Sequence, residues 1–441
     1  MRNSAENHYD ILSPYAPQMP KPLPQMLHLA IKNAPEHMKA AISNSLFPAF
    51  GSLMHNVGFR YPDNVFHEPH FMCGLIGPMS IGKGSINPII ETIIQPLREH
   101  DARSNAKLNE WKRQCKTTAA NKQRPARPED AAILAPEPDM TNPALIQLLM
   151  DAEAEGNRFL YTNIPEVDLL DQCCGSHKKL TKVVRLAYDL SRLGAQRATA
   201  DGISGNPTLR WNFNFSCVEQ KAQTFFRDAL TDGTLSRIGI SYVQRTRERT
   251  GIIPKQGIYD DNYRKQMQVY ITRLQAATGE IACPQANRLV EKLSLEMADI
   301  TVLSDDDNFE SMSFRALIIA WLKACVLYVA NGQKWTDSIA AFMRWSLYYD
   351  LWSKLAIFAP QLSETLPAVD TFKTRKKGPA NMLEMLPSTF TYENLVEVRQ
   401  RVGKPEEGAY NQLTQWKFRG YIEEADGRYK KTATAEPESF T

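Results

Sequence analysis

The sequence has no large excess of charge of either sign, no ordered cysteine framework, no apolar leader and no internal repeat. A formal net charge of +3 over 441 residues neither demands nor excludes a nucleic-acid partner, so any such partner must be argued from local patches. The seven cysteines are scattered, with one adjacent pair, Cys173–Cys174. They lack zinc-knuckle spacing, and a disulfide framework is not expected in a chain of this size. Residues 1–24 are polar and proline-rich, without the apolar core of a signal peptide. The most apolar stretch, 316–330, carries Lys323 and is too short to span a bilayer, so it reads as a buried helix. A reducing, cytoplasmic setting is the expectation.

What is present is an ordinary globular composition, 43% hydrophobic and 23% charged, in a chain long enough for two to four domains. Residues 1–57 read as an extended arm followed by helices, because Met26, Leu27, Leu29 and Ala30, then Met38, Ala41 and Ile42, recur at helical spacing. Residues 58–255 read as the core. Residues 71–76 form a short apolar run ending at glycine and proline, as a buried strand would. Ile86, Ile89, Ile90, Ile93 and Ile94 then repeat at helical spacing, residues 100–130 are polar, and 145–154 is helical. Residues 158–162 and 211–216 are further strand candidates. Strands alternating with helices imply an α/β fold, a parallel sheet with helices on both faces. Residues 256–378 read as a helical domain with a Trp- and Tyr-rich segment at 345–352, closed by a basic linker at 373–379. Residues 379–441 read as a separate unit.

The segment Gly77-Pro78-Met79-Ser80-Ile81-Gly82-Lys83-Gly84-Ser85 fits the spacing G-x-x-x-x-G-K. Glycines let the backbone curl so that successive N–H groups converge on phosphate oxygens. A following helix points its positive end at the anion, and Lys83 neutralises outer-phosphate charge. The hydroxyl that usually follows the lysine holds Mg²⁺; here Gly84 stands there, leaving Ser85 or water for the metal. Pro88 is expected to kink the helix. Preceding strand and following helix are both present, which favours an ATP phosphate site over an ordinary turn.

A P-loop ATPase needs a second strand ending in acids beside the first. Residues 158–168 offer Glu166 and Asp168, with Pro165 where the metal-binding acid would commonly lie. Glu166 is the candidate for activating water and, with Ser85, for Mg²⁺. Asn214 and Ser216, at the end of the third strand, are candidates for the γ-phosphate or attacking water, or for routine capping of the strand end. Arg237, after the turn at Asp232-Gly233, is placed to stabilise transition-state charge in a neighbouring subunit, or to make a surface ion pair.

With these motifs in order, the chain resembles P-loop proteins of bacterial mobile elements, common in Bacteroidetes and often beside or fused to primase-like domains. Their ATPase core is related to replicative helicases and primase-helicases. The matching residues are Gly82-Lys83-Gly84, the charged spacer after it, Asn142-Pro143-Ala144-Leu145, Glu166-Val167-Asp168, Arg197-Ala198-Thr199, Phe213 to Ser216, and Asp232 through Ile238, over residues 27–243. The resemblance implies that Lys83 binds phosphate, Glu166 is the Walker-B-type acid and Arg237 is an arginine finger. No primase-type catalytic domain is apparent.

In the last unit, Thr391 caps a helix ending at Gly403, a second helix spans 406–419, and Asp426-Gly427 turns a hairpin. Helix–helix–hairpin is the winged-helix pattern. Asn411, Gln412, Gln415, Lys417 and Arg419 on the second helix, with Lys430 on the wing, are the candidate DNA contacts. Four glutamates, Glu406, Glu407, Glu423 and Glu424, oppose them. The leading expectation is an ATP- and Mg²⁺-dependent, DNA-associated motor or initiator, assembled as a homo-oligomer, possibly a ring. The alternatives are a non-hydrolysing nucleotide switch or scaffold, and a DNA-binding regulator with a vestigial phosphate loop.

Overall fold

The structure is a computed structural model that describes residues 11, 13–117, 125–172, 177–197, 202–227, 233–244, 255–364, 381–425 and 427–432. Among the described residues, ten strands form three sheets: β1 Val57–Arg60, β2 Phe66–His67, β3 Met72–Ile76, β4 Leu160–Ile164, β5 Trp211–Cys217, β6 Gly239–Tyr242, β7 Gly279–Glu280, β8 Thr389–Phe390, β9 Ile422–Ala425 and β10 Arg428–Lys431. The central sheet has the order β4-β5-β3-β6 and every pairing in it is parallel. All five residues of β3 are buried, as a strand covered on both faces requires. The chain is therefore mixed α/β with a four-stranded parallel sheet flanked by helices.

The helices follow in three groups. Before the sheet come α1 Gln25–Ile31, α2 Lys39–Ser45 and α3 Phe47–Ser52; between its strands lie α4 Asn87–Ile93, α5 Gln95–Thr117, α6 Asn142–Ala154, α7 Val167–Gln172, α8 His177–Tyr188 and α9 Glu219–Phe225. After the sheet come α10 Asp261–Gln275, α11 Pro284–Ser304, α12 Asp307–Ala330 and α13 Asp337–Glu364, then α14 Tyr392–Arg401 and α15 Ala409–Phe418. One continuous apolar core runs from α1 through the sheet into α10–α13. The described residues within 1–57 and 256–378 thus supply layers packed on the sheet.

Helix α13 finishes the sheet where it has no further strand. β6 is an edge, and its N–H groups need partners. Asp350 Oδ1 accepts from Ile240 N at 2.5 Å and Ser353 Oγ from Tyr242 N at 3.1 Å. Buried Lys354 donates to Asp350 at 2.7 Å. The apolar stretch at 316–330 is part of α12, the described helix long and apolar enough to cross a membrane. It is a core helix instead: 78% of its apolar window is buried inside the protein. Lys323 within it donates to Asn44 Oδ1 at 2.7 Å and Ser346 Oγ at 3.2 Å.

The expected N-terminal arm is strapped down where it is described. Trp345 and Trp352 donate to the carbonyls of Pro17 and Ser13, both at 3.0 Å. That accounts for the aromatic segment: Trp345, Tyr349 and Trp352, at i, i+4 and i+7, stack along one face of α13. The expected single helix from Ile86 is interrupted. A 3-10 turn, Lys83–Ile86, leads into α4 with Pro88 in its first turn, where its missing N–H costs nothing. Pro88 therefore starts the helix and does not kink it. The chain breaks instead at Ile94.

The last unit has its own core, with Leu395, Leu413 and Trp416 at its centre and Val302 and Leu303 of α11 packed against it. Thr391 and Asn394 form a reciprocal capping box. The hairpin β9–β10 is antiparallel, and β8 adds a third strand to it. The unit is docked: Trp416 donates to Val302 O at 3.0 Å, Arg399 pairs with Asp305 at 2.7 Å and Arg419 with Asp299 at 3.0 Å. The linker at 373–379 and the pair Cys173–Cys174 lie outside the described residues.

Candidate functional site

The parallel strands end together, and the loops that follow them define one side of the molecule. The connection leaving β3 runs toward β4, and the one leaving β5 runs back to β6. Right-handed crossovers in opposite directions lie on opposite faces, so the loops after β3 and β5 leave the C-terminal ends of adjacent strands toward different sides of the sheet. The loop after β3 is Gly77–Gly84.

Its backbone is unusual at two alternate positions. Ser80 has φ +61° and Gly82 φ +93°. A left-handed serine is disfavoured by about 1–2 kcal/mol, and Ser80 is one of seven described non-glycine residues with positive φ. Alternation of this kind turns successive N–H groups toward one side. Among the described residues, the N–H groups of Ser80, Ile81 and Gly82 donate to no protein acceptor. Nothing lies within 4 Å of a Cβ built at Gly82, and only Asn87, at 3.9 Å, near one at Gly84, so the mouth of the loop is open. Gly77 is tight instead: a Cβ there would meet Val243 at 3.2 Å and Ile81 at 3.3 Å.

Lys83 donates to the carbonyls of Gly77 and Pro78, both at 3.0 Å, so its ammonium lies over its own loop. Partial burial lowers its pKa, opposed by the negative charge of Glu166. Glu166 is exposed between β4 and α7. The charge of Glu166 therefore acts on Lys83. Asp168 is exposed and pairs with Lys221 of α9 at 2.7 Å. Ser85 Oγ is buried with no protein partner, a placement that fits a metal-bound or water-bound hydroxyl. Among the described residues no group of three His, Cys, Asp or Glu could hold a metal. Mg²⁺ here would use Ser85 and Glu166 together with phosphate oxygens, the usual economy of protein ligands for this ion.

Several expectations need correction. β4, the acidic strand, is not beside β3; β5 pairs with both, so Ser216 and Cys217 lie between loop and acid. Asn214 is not available to a phosphate. It is buried, accepts from Tyr161 Oη at 3.0 Å and donates to Ser45 O at 2.7 Å. Ser216, on the same face of β5 two residues on, is half-buried at the strand end. Arg237 cannot reach its own chain's loop. It precedes β6, whose Gly239 pairs with Cys73 near the start of β3, so it lies at the opposite end of the sheet from Lys83. Gln412 is buried against Arg399 and Met382 and faces no partner. Asn411, Gln415 and Lys430 are exposed. Lys417 and Arg419 are exposed but paired, with Glu424 at 2.7 Å and Asp299 at 3.0 Å. Ala198, Thr199 and Asp232 lie outside the described residues.

The structure also brings in residues that the sequence pattern does not single out. Cys217 O accepts from Gly77 N at 3.2 Å and anchors the loop's first residue. Its thiol is pushed up to about 12, mainly by burial, with Lys83 opposing and Glu166 and Asp168 adding to the shift. His37 Nε2 donates to Ile81 O at 2.9 Å, and Gln256 Nε2 to Ser85 O at 3.5 Å. Asn33 holds the segment beyond Gln256 through Gly257 N at 2.8 Å and Ile258 O at 2.6 Å. Asn163 of β4 donates to Asn87 of α4 at 3.2 Å. Only a hydrogen-bonding side chain near a loop in space, not in sequence, would reveal these. A cavity of about 530 Å³ opens beside α1, between Leu23, Ile31 and Lys39. None of its lining residues belongs to the loop. Comparison with models of known protein families and with curated proteins gives no match.

Proposed function

We propose that the chain is a P-loop nucleotide-binding protein that takes ATP phosphates in the loop Gly77–Gly84. The observation that carries this reading is the set of undirected N–H groups at Ser80, Ile81 and Gly82, held by two left-handed residues with Lys83 over them. Converging backbone donors and a lysine are what a polyphosphate needs, since each bond to an ionised oxygen is charge-assisted. Helix α4 has only seven residues, so the loop's own amides supply more of the field than the helix dipole does.

Hydrolysis, in this reading, rests on Glu166 to orient and deprotonate water, with Mg²⁺ supplying charge neutralisation at the phosphates. Ser85, with Glu166 where that carboxylate is not engaged with water, would hold the ion, and Ser216 is the remaining polar group between loop and acid. Arg237 lies at the far end of the sheet from its own chain's loop, so in this reading it acts in trans on a neighbour's nucleotide, and a homo-oligomer follows. The strand–helix–helix–hairpin order of the last unit supports a winged-helix domain, with DNA as its partner through Asn411, Gln415 and Lys430. The pairs made by Lys417 and Arg419 are exposed and worth little, so neither cation is withdrawn from a polyanion; Gln412 is. The reading as a whole is a DNA-associated motor or initiator.

A second reading, a nucleotide switch that does not hydrolyse, is favoured by one observation: Asp168 is engaged by Lys221, leaving Glu166 as the acid whose charge acts on Lys83. Titrating Mg·ATP and then measuring turnover with and without DNA separates the readings. The motor reading expects binding and DNA-stimulated hydrolysis. Binding without turnover selects the switch, and absence of nucleotide binding with retained DNA affinity selects a regulator with a vestigial loop.

A further inference from the structure

We propose that Arg237 and Arg315 form a phosphate-binding site of their own at the N-terminal end of the parallel sheet, away from the Lys83 loop. The two residues come from the 3-10 turn before β6 and from α12, and they converge on Gly233. A Cβ at Gly233 would lie 2.9 Å from Arg237 Nη1 and 3.7 Å from Arg315 Nη1. Gly233 has φ +77°, so a glycine there serves both the turn and the approach of two guanidinium groups.

Two like charges in one place need a counter-charge. Among the described residues, Arg237 has only Asp189, at 3.7 Å and itself half exposed, and Arg315 has no ion pair. Arg315 donates to Ser236 Oγ at 2.7 Å and Ser311 Oγ at 3.4 Å, and Arg237 to Gly233 O at 3.0 Å. These neutral acceptors use a minority of the ten N–H donors that two guanidinium groups carry. Burial and then the neighbouring Arg237 charge lower the pKa of Arg315, with Tyr188 and Asp189 opposing.

A second observation points to a ligand at the same place. Tyr188 Oη and Arg237 Nε are buried polar atoms without a protein partner. Arg237 lies over the Tyr188 ring at 5.7 Å. Tyr188 and Asp189 follow one another at the end of α8. A buried donor without an acceptor is costly, and Arg237 Nε and the neighbouring Tyr188 hydroxyl both lack one, a want that a tetrahedral oxyanion held by the two arginines would meet. Arginine forks suit phosphate in particular, because two parallel N–H bonds match its oxygens. The phosphate has two sources with the same chemistry: free phosphate, or the terminal phosphate of a nucleotide carried by a second copy of this chain.

The site is tested in the Lys83→Ala protein, so that success or failure is independent of the loop. Inorganic phosphate is titrated and the melting temperature and binding heat are followed. We expect saturable binding in Lys83→Ala, weakened at least tenfold by adding Arg315→Gln. Tyr188→Phe serves where Arg315→Gln does not fold. It removes one hydroxyl and no packing, and should weaken phosphate binding without lowering the melting temperature of the phosphate-free protein. No phosphate binding by Lys83→Ala, or equal binding with and without Arg315 and the Tyr188 hydroxyl, overturns the proposal. Sedimentation of the otherwise unaltered protein with a non-hydrolysable ATP analogue then identifies the source. Assembly lost in Arg315→Gln assigns the phosphate to a second copy, and unchanged sedimentation of Arg315→Gln, with its phosphate binding weakened as above, assigns it to free phosphate.

Discussion

At the N-terminal end of β3 and β5, polar groups are tied to one another. His70 donates to Trp211 O at 2.9 Å, Asn212 accepts from Phe71 N at 2.7 Å, and Arg210 pairs with Glu68 at 2.7 Å. At the C-terminal end of the same two strands, the chain leaves three consecutive N–H groups undirected and spends a left-handed serine to do so. Buried backbone groups are nearly always paired, so the sealed end is what stability alone would build. At the open end Ser80 and Gly82 are exposed, so their N–H groups stand open to a ligand as well as to water, which is why the loop, and not the far larger core, carries the functional reading. The pair Arg237 and Arg315, next to the sealed end, departs from that sealing, since Arg237 Nε is buried without a protein partner.

The comparison breaks most severely at Asp350, which seals the edge of β6. Asp350→Ala leaves Lys354 buried without its partner and Ile240 N without an acceptor. Breaking one side of a buried pair costs about 3–5 kcal/mol, so urea unfolding should show a loss of that order. A loss under about 1 kcal/mol would mean that the edge is sealed by packing alone.

His70 sharpens the same side through pH. Burial depresses its pKa from 6.5 to about 4, with the bond to Trp211 O opposing. A depressed histidine stays neutral in the folded protein while the unfolded chain takes up a proton below 6.5. Its contribution is therefore full above pH 6.5 and is lost as pH falls toward 4. Between pH 7 and 5 the loss is about 2 kcal/mol. In His70→Gln, whose amide can still donate to Trp211 O, that part of the pH dependence should vanish. The same slope in both proteins would place the titration elsewhere.

On the open side, Glu166→Gln should keep nucleotide binding and lose turnover about a hundredfold, since an amide hydrogen-bonds water but cannot accept its proton. Full turnover would move the role to Asp168, whose pair with Lys221 would then have to open. The smallest effect is expected from removing residues 380–441. Their core is their own, so the rest should melt only a few degrees lower, through exposure of Val302 and Leu303, and bind nucleotide as before. DNA affinity should fall and its salt dependence flatten. Unchanged DNA binding would assign the unit to protein contacts.

The glycine-and-lysine spacing at 77–83 and three of the four strands of the parallel sheet were legible because each is a local run: an apolar strand, glycines at fixed spacing, isoleucines on one face; β6, four residues long, does not read as a strand. Strand order was not legible either. Nothing in residues 158–168 tells that β5 inserts between them and β3, since register is decided by packing across the sheet. Asn214 reads as a strand-end group, yet alternation along β5 turns it into the core with Asn212. Gln412 reads as one of a row of exposed polar residues, and its position one turn from Trp416 on the buried face was the signal available. Pro88 reads as a kink until the 3-10 turn before it is seen. His37, Gln256 and Arg315 meet their partners only through tertiary contact, across separations no local pattern spans.

The central claim is that the loop Gly77–Gly84 holds phosphate, and Lys83→Ala tests it most directly. Lys83 bonds only to its own loop's carbonyls and fills no part of the core, so its removal should leave the melting temperature within about 2 °C. Titration with an ATP analogue, with the Lys83→Ala protein shown to be folded, should give an affinity at least about a hundredfold weaker, a loss of about 2.7 kcal/mol. Unchanged affinity in that folded protein would contradict the account.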